Sequence, residues 1–492
     1  MKYSPTIGLE IHVELNTKTK MFCGCRNNSL ETKPNTNVCP ICLGHPGTLP
    51  VPNIEAVKSV LKLGLALGSD ISEKSKFDRK SYFYPDLPKG YQISQYDEPL
   101  VKNGELLGVR VRRIHLEEDV GRLLHEIPAE NGNRPKETDK ATYVDFNRAG
   151  VPLMELVTEP DIESGEQAVA FGKMLQLILR YLRISAADME KGQMRVEANV
   201  SVRPEKQREY GTKVEVKNLN SFRSVGDAVN FEIKRQTEVL ESGGKVAQET
   251  RGWDKNKKET FSQRSKEEAK DYRYFPEPDI PAIDFRETSL VDFEELRRSI
   301  PELPLQKRSR LMSEYGLRPI QADLMIEDRE STDFFEATLS EALGDKNIQA
   351  PERQRFIDLV FNYLTSDLKG FMNAKGIAFS DLKIDPENFA DFIDLIFDGD
   401  ISSRIAKDLL PEMQRSGLDP KQIIKEKGME QVLDEEIIKS AVQKVIKDNP
   451  SAVSDYKAGK KTAFQFLIGK AMAELQGKGH PGKISELLEK EL

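Results

Sequence analysis

The segment Gly8-Leu-Glu10-Ile-His12-Val-Glu14 alternates polar and apolar residues, so a strand here puts two carboxylates and an imidazole on one face. A solvated strand edge with mixed charges would give the same local pattern. Two further acidic segments weigh against that plain reading: His115-Leu-Glu117-Glu118-Asp119, and Glu155 set among apolar neighbours in Pro152-Leu-Met-Glu155-Leu-Val. A carboxylate among apolar residues needs a partner, and a divalent cation is a natural one. Oxygen donors with a single imidazole suit Mg²⁺ or Mn²⁺ better than Zn²⁺. The candidates from these segments are Glu10, His12, the acids of Glu117-Glu118-Asp119, and Glu155.

Basic residues accompany the acids. Arg79-Lys80 precedes an aromatic stretch, Ser81-Tyr-Phe-Tyr84. Lys213 and Lys217 fall on one face of a short alternating segment followed by Asn218 and Asn220, and Arg251, Arg273 and Tyr274 come later. Carboxylates with Mg²⁺ and lysine are what phosphoryl transfer requires: the metal bridges phosphate oxygens and the lysine offsets developing charge. Any one of these lysines, taken alone, reads as a solvated surface group, and only the combination points to phosphoryl transfer. Lys80 joins the catalytic candidates, and Lys213, Lys217, Asn218, Asn220 and Arg251 are the candidates for nucleotide binding.

All four cysteines lie in one stretch, as Cys23-Gly-Cys25, thirteen residues, then Cys39-Pro-Ile-Cys42. Two close pairs joined by a loop can surround Zn²⁺ tetrahedrally, with Gly and Pro permitting the tight turns. Four thiolates leave no open position, so such a zinc is structural. A redox pair at Cys39–Cys42 fits less well, because no thioredoxin-like βαβ pattern follows. The chain has no phosphate-binding G-x-x-x-x-G-K-[ST] loop and no G-x-S-x-G nucleophile turn; Ala458-Gly-Lys-Lys-Thr462 is only a near miss. If amide nitrogen is needed, another polypeptide must release it.

The elements that must position these residues follow from periodicity. Ile7, Leu9, Ile11, Val13 and Leu15 form one apolar face, and Met194, Val196, Ala198, Val200 and Val202 another, with Arg195 and Glu197 opposite. Ser164-Gly-Glu-Gln167 reads as a capping box opening a helix that runs through Phe171, Leu175, Ile178 and Leu182. Prolines near Ile300-Pro-Glu-Leu-Pro304 punctuate the start of a helical region, and Asp398–Ser402 marks a second boundary. Expected is an α+β chain with antiparallel sheet in its first domain (1–294, zinc insertion at 23–42), then an all-α domain (295–400) and a small helical bundle (401–492). The 492 residues suit two to four domains. A net charge of −8 argues against indiscriminate nucleic-acid binding, although Lys439–Leu492 carries ten lysines against six acids. No run of eighteen apolar residues and no signal-peptide core is present, which points to the cytoplasm.

Taken together, Ile7–Leu15, Lys76-Phe-Asp-Arg-Lys-Ser-Tyr-Phe-Tyr-Pro-Asp86, Tyr91–Gln95, His115–Asp119, Asp145–Gly150, Val216–Phe222 and Asp271–Asp279 closely resemble the B subunits of the aspartyl/glutamyl-tRNA(Asn/Gln) amidotransferases, the GatB family, over essentially the whole length. The ending Gly477-Lys-Gly-His-Pro481 resembles the family's tail, with Gly-His in place of Ala-Asn. The resemblance implies a cradle fold followed by a helical domain and a YqeY-like tail. It further implies ATP-dependent phosphorylation of the misattached Glu or Asp side chain on tRNA(Gln) or tRNA(Asn), followed by displacement with ammonia. That ammonia would come from the amidase, the family's A subunit, with the small C subunit completing a heterotrimer. It places Glu10, His12, Glu118 and Glu155 at the Mg²⁺, Lys80 near the ammonia exit, and Lys217–Asn220 near the nucleotide or acyl end. The helical and tail domains would grip the tRNA. A tRNA-presenting module without catalysis, and a zinc-ribbon structural protein, are the alternatives from other classes.

Overall fold

The computed structural model describes residues 2–31, 33–124, 142–265, 272–344, 350–429, 435–475 and 479–492. Asp271, and Gly477 and Lys478 of the tail motif, lie outside them. The chain divides into two compact units, Met1–Pro304 and Leu305–Leu492.

The first unit is built on a ten-stranded sheet. Its long strands are β1 (Tyr3–Glu14), β4 (Val109–Glu118), β5 (Pro152–Thr158), β6 (Met194–Pro204), β7 (Val214–Leu219), β8 (Glu249–Asp254) and β9 (Glu259–Ser265). They run in the order β9-β8-β7-β6-β1-β5-β4, and Val101–Lys102 and Asp70–Ile71 extend the edge beyond β4. Pairing is antiparallel throughout this run except between β7 and β8. The remaining two labelled strands, β2 (Asp78–Ser81) and β3 (Tyr91–Ser94), make a separate three-stranded sheet with Phe275–Pro276.

Period-two patterning decides which face is covered. Ile7, Leu9, Ile11 and Val13 of β1, Leu116 of β4, Met154 and Leu156 of β5, and Val196, Ala198 and Val200 of β6 are all buried in one core. Three helices supply the other half of that core: α1 (Ile54–Ala66) through Val57, Val60 and Leu61, α2 (Gly165–Tyr181) through Phe171, Leu175 and Ile178, and α3 (Phe222–Glu241) through Val225 and Val229. Helix α2 begins where its cap requires, with the Ser164 hydroxyl accepting the Gln167 N–H. Close approach of α2 to α3 needs glycine: a Cβ on Gly165 would lie 2.5 Å from the Gly226 carbonyl oxygen. With helices on one face only, the opposite face of the sheet is left to polar chemistry.

The second unit is helical. Its C-terminal part packs Glu435–Asp448, Lys461–Glu474 and Pro481–Glu491 around Ile438, Val442, Leu467, Ala471, Ile484 and Leu488. Among the described residues no helix is long and apolar enough to cross a membrane.

Candidate functional site

On the helix-free face, strand register lines side chains up across the sheet. Arg195 of β6 is opposite His12 of β1, His12 is opposite Glu155 of β5, and Glu155 is opposite His115 of β4. Cβ atoms of directly opposed residues lie about 5 Å apart, so this row forms without any loop reaching in. One pleat further along, Glu197 is opposite Glu10, and in the other direction Leu153 is opposite Glu117. These residues line a cavity of about 740 Å³ together with Lys80, Tyr82, Arg113, Glu215, Lys217, Thr250, Tyr272 and Tyr274.

Glu155 is the hub. Its Oε2 lies 3.4 Å from His12 Nε2 and 3.3 Å from His115 Nε2, and its Oε1 lies 3.7 Å from Arg113. Burial pushes this carboxyl up, but His115 and His12 outweigh it and hold the group well below the usual carboxylate range. For His12, burial acts downward and is overcome by the bond to Glu155 and by the fields of Glu155, Glu117 and Glu197, so it is pushed up to about 9. Burial and then the charge of Glu155 raise Glu10 to about 7. Burial likewise opposes the charge of Lys80, yet Glu117, Tyr274 and Glu155 hold its ammonium above the ordinary lysine range. Its Nζ sits 5.1 Å from the centre of the Tyr272 ring. On the far side, Lys217 Nζ bonds Glu197 at 2.8 Å and approaches Glu215 at 3.6 Å.

The donor set fits a hard divalent cation. Ligand atoms of Glu10, His12 and Glu155 lie within 4.8 Å of one another, as do those of His115, Glu117 and Glu155. Octahedral Mg²⁺ with ligands at about 2.1 Å needs donor separations of roughly 3–4 Å. The Nδ1 of His115 is buried with no hydrogen-bond partner among the described residues, and such an imidazole in an acidic cluster suits this role.

The structure brings Glu10, His12, Glu155, Lys80 and Lys217 together in this cavity and leaves other candidates outside it. Glu118 is the main departure. Successive side chains of a strand face opposite ways, so β4 aims His115 and Glu117 into the cavity and Glu118 away from it. There the Glu118 carboxylate pairs with Lys89 and accepts the Ile93 N–H at 3.0 Å. Arg251 lies on the helix side of the sheet, bonded to Glu249 and Thr260 and 3.7 Å from the buried Glu232 of α3. Asn218 is exposed, with a left-handed φ of 64°, and Lys213 and Asn220 are exposed as well; none of the three lines the cavity. Sequence reasoning left Glu117 undistinguished from its acidic neighbours and did not nominate His115, Arg113, Arg195, Glu197 or Glu215. The signal for the first two was strand parity: once β4 is a strand, His115 and Glu117 share a face that Glu118 cannot share.

The four cysteines converge separately. They are unpaired, and their Sγ atoms lie within 4.8 Å of one another, against about 3.8 Å between sulfurs around tetrahedral Zn²⁺. The Cys39 N–H donates to Cys42 Sγ at 3.1 Å. A hydrogen bond from Cys23 comes first, with that N–H and the nearby ammonium of buried Lys20 behind it, in holding the Cys42 thiol below its ordinary range. Two such pairs on tight turns, with cationic support, fit a closed zinc site.

Residues 5–291 match the family model of the GatB/GatE catalytic domain, and residues 351–492 match that of the GatB domain. The B subunit of the aspartyl/glutamyl-tRNA(Asn/Gln) amidotransferase from Brevibacillus brevis is 44% identical over 499 residues, covering 100% of this chain and 99% of the relative. That of Thermotoga maritima is 44% identical over 500 residues with the same coverage. That of Persephonella marina is 42% identical over 497 residues, covering 99% of each chain. On this likeness along its whole length, the chain belongs to the family of tRNA-dependent amidotransferase B subunits, whose complexes are ligases.

Proposed function

We propose that this protein uses ATP to phosphorylate the side-chain carboxylate of Glu-tRNA(Gln), Asp-tRNA(Asn) or both, and amidates it with ammonia released by a partner amidase. The single observation that carries this reading is the cross-strand row of His12, Glu155 and His115, flanked by Glu10 and Glu117, facing Lys80 across one cavity. A carboxylate does not condense with ammonia unaided; phosphorylation makes its oxygen a leaving group. Glu10, His12, Glu155 and Glu117 would hold Mg²⁺, which neutralises phosphate charge when bound. Lys80, Arg113, Arg195 and Lys217 offer positive charge around the same space, and Lys217 takes the nucleotide side. Tyr82, Tyr272 and Tyr274 line the cavity beside Lys80, where a bound aminoacyl end that displaces water would protect an acyl phosphate from hydrolysis.

The remaining roles are part of the same proposal. The cysteine knuckle holds a structural Zn²⁺, the domain at 1–294 carries the chemistry, and the segments 295–400 and 401–492 contact tRNA largely through its backbone shape. The amidase (A) and small (C) partners complete a heterotrimer in the cytoplasm. The test is ATP- and glutamine-dependent amidation by the assembled complex, with Glu-tRNA(Gln) and Asp-tRNA(Asn) assayed separately. Glu10→Gln and Lys80→Met should each abolish amidation while tRNA binding persists. Full activity in both variants would refute the catalytic reading.

A further inference from the structure

The hairpin that carries Lys80 is not a strand of the main sheet. Strands β2 and β3 pair with each other, with Lys80 opposite Gln92, and their attachment to β4 runs through side chains. The amide of Gln92 donates to the Glu118 carbonyl at 2.6 Å, and the Ile93 N–H donates to the Glu118 carboxylate at 3.0 Å. The Leu116 N–H donates to the Gln95 side chain at 3.1 Å, and the Ser94 hydroxyl reaches Glu117 at 3.3 Å. Glu118 therefore receives two of the four links, one on its main-chain carbonyl and one on its carboxylate, and that carboxylate also pairs with Lys89 of the hairpin connection. Both side chains of that ion pair are nearly inaccessible, at 8% and 4% exposure.

Lys89 is itself confined. Its stem lies so close to Gly44, at the end of the Cys39–Cys42 turn, that a Cβ on Gly44 would overlap the Lys89 Cγ. Its ammonium lies 5.7 Å from the centre of the Tyr91 ring. A small cavity of about 210 Å³ lies beside this contact, lined by Cys42, Gly44, Lys89 and Glu118 among others. The buried Glu118 carboxylate thus takes one main-chain N–H and one ammonium, both from the β2–β3 hairpin, and it points away from the metal-binding face.

We infer that Glu118 is a positioning residue: with Lys89 it clamps the β2–β3 hairpin onto β4 and thereby fixes Lys80 over the acidic cavity. This rests on the catalytic reading of that cavity and adds how its lysine is held. Adjacent carboxylates of one strand then divide the work, Glu117 facing the cation and Glu118 facing the clamp.

The experiment uses the assembled complex, with Mn²⁺ as the metal probe and acetic anhydride as the lysine probe, read by mass spectrometry. Glu118→Gln and Lys89→Met should each raise acetylation of Lys80 by about five-fold or more and lower amidation by about ten-fold or more, since an ångström of misplacement is that costly. The double variant should be no worse than the more damaged single, because the two residues act as one unit. Mn²⁺ affinity should stay within about two-fold of the parent in both, whereas Glu117→Gln weakens it by about ten-fold. Unchanged Lys80 labelling in both clamp variants overturns the proposal. So does a loss of Mn²⁺ affinity in Glu118→Gln equal to that in Glu117→Gln. If Glu117→Gln and Glu155→Gln leave Mn²⁺ binding intact, the metal reading fails while the labelling result still decides the clamp.

Discussion

Arg251→Met separates two placements of one residue. The guanidinium makes three hydrogen bonds of 2.6–2.8 Å to Glu249 and Thr260 behind the sheet, and lies 3.7 Å from Glu232, which is wholly buried in α3. Removing one partner of a buried ion pair costs about 3–5 kcal/mol. Glu232 keeps Arg235, Gln236 and the Thr260 hydroxyl, so the lower end applies, about 3 kcal/mol. Methionine preserves most of the apolar stem, which leaves the loss to charge and hydrogen bonds. The assay has a built-in reporter: Trp253, the chain's single tryptophan, is buried on the same strand against Phe231 at 6.1 Å. Its fluorescence in urea should show a midpoint lowered by about 1 M, given a slope near 3 kcal/mol per molar for a unit of this size. Nucleotide affinity of the folded variant should not change. An unmoved midpoint with weakened ATP binding would refute the reasoning and put Arg251 on the cavity side.

Other outcomes follow from the same geometry. Cys42→Ser should release one zinc per chain, measured by atomic absorption, and lower the melting temperature, while Mn²⁺ still binds the Glu10–His12–Glu155 cluster, because the two sites share no ligand. Gly165→Val should destabilise the first unit by about 2 kcal/mol in urea unfolding, since the new side chain meets the Gly226 main-chain carbonyl, which cannot move aside, as well as the Asn230 side chain. Leu467→Ala, in the core of the C-terminal bundle, should cost about 2–5 kcal/mol there and weaken tRNA retention in a filter-binding assay without altering Mn²⁺ binding.

What could be read from the chain was whatever a few neighbouring residues decide. The alternation of Ile7–Leu15 and Met194–Arg203 gave β1 and β6 their faces, and the Ser164 cap gave α2 its start, because pleat and cap are local properties. The cysteine spacing was equally local. Long-range pairing was not legible. Nothing near Glu155 in sequence says that it will lie opposite both His12 and His115, because that follows from β5 inserting between β1 and β4. Glu117 and Glu118 are chemically identical, and only the register of β4 separates them. Arg251 looked like a phosphate ligand until its strand turned it toward a carboxylate on α3. Lys80 reaches the cavity only because a separate small sheet docks through Gln92 and Glu118.

The account stands on acids from β1, β4 and β5 holding one divalent cation. Mn²⁺ titration of the assembled complex, followed by electron paramagnetic resonance with a non-hydrolysable ATP analogue present, tests this most directly when the parent is compared with Glu155→Gln. Loss of one Mn²⁺ site, or its weakening by about ten-fold or more, is the predicted result. Identical titrations in parent and variant would contradict it.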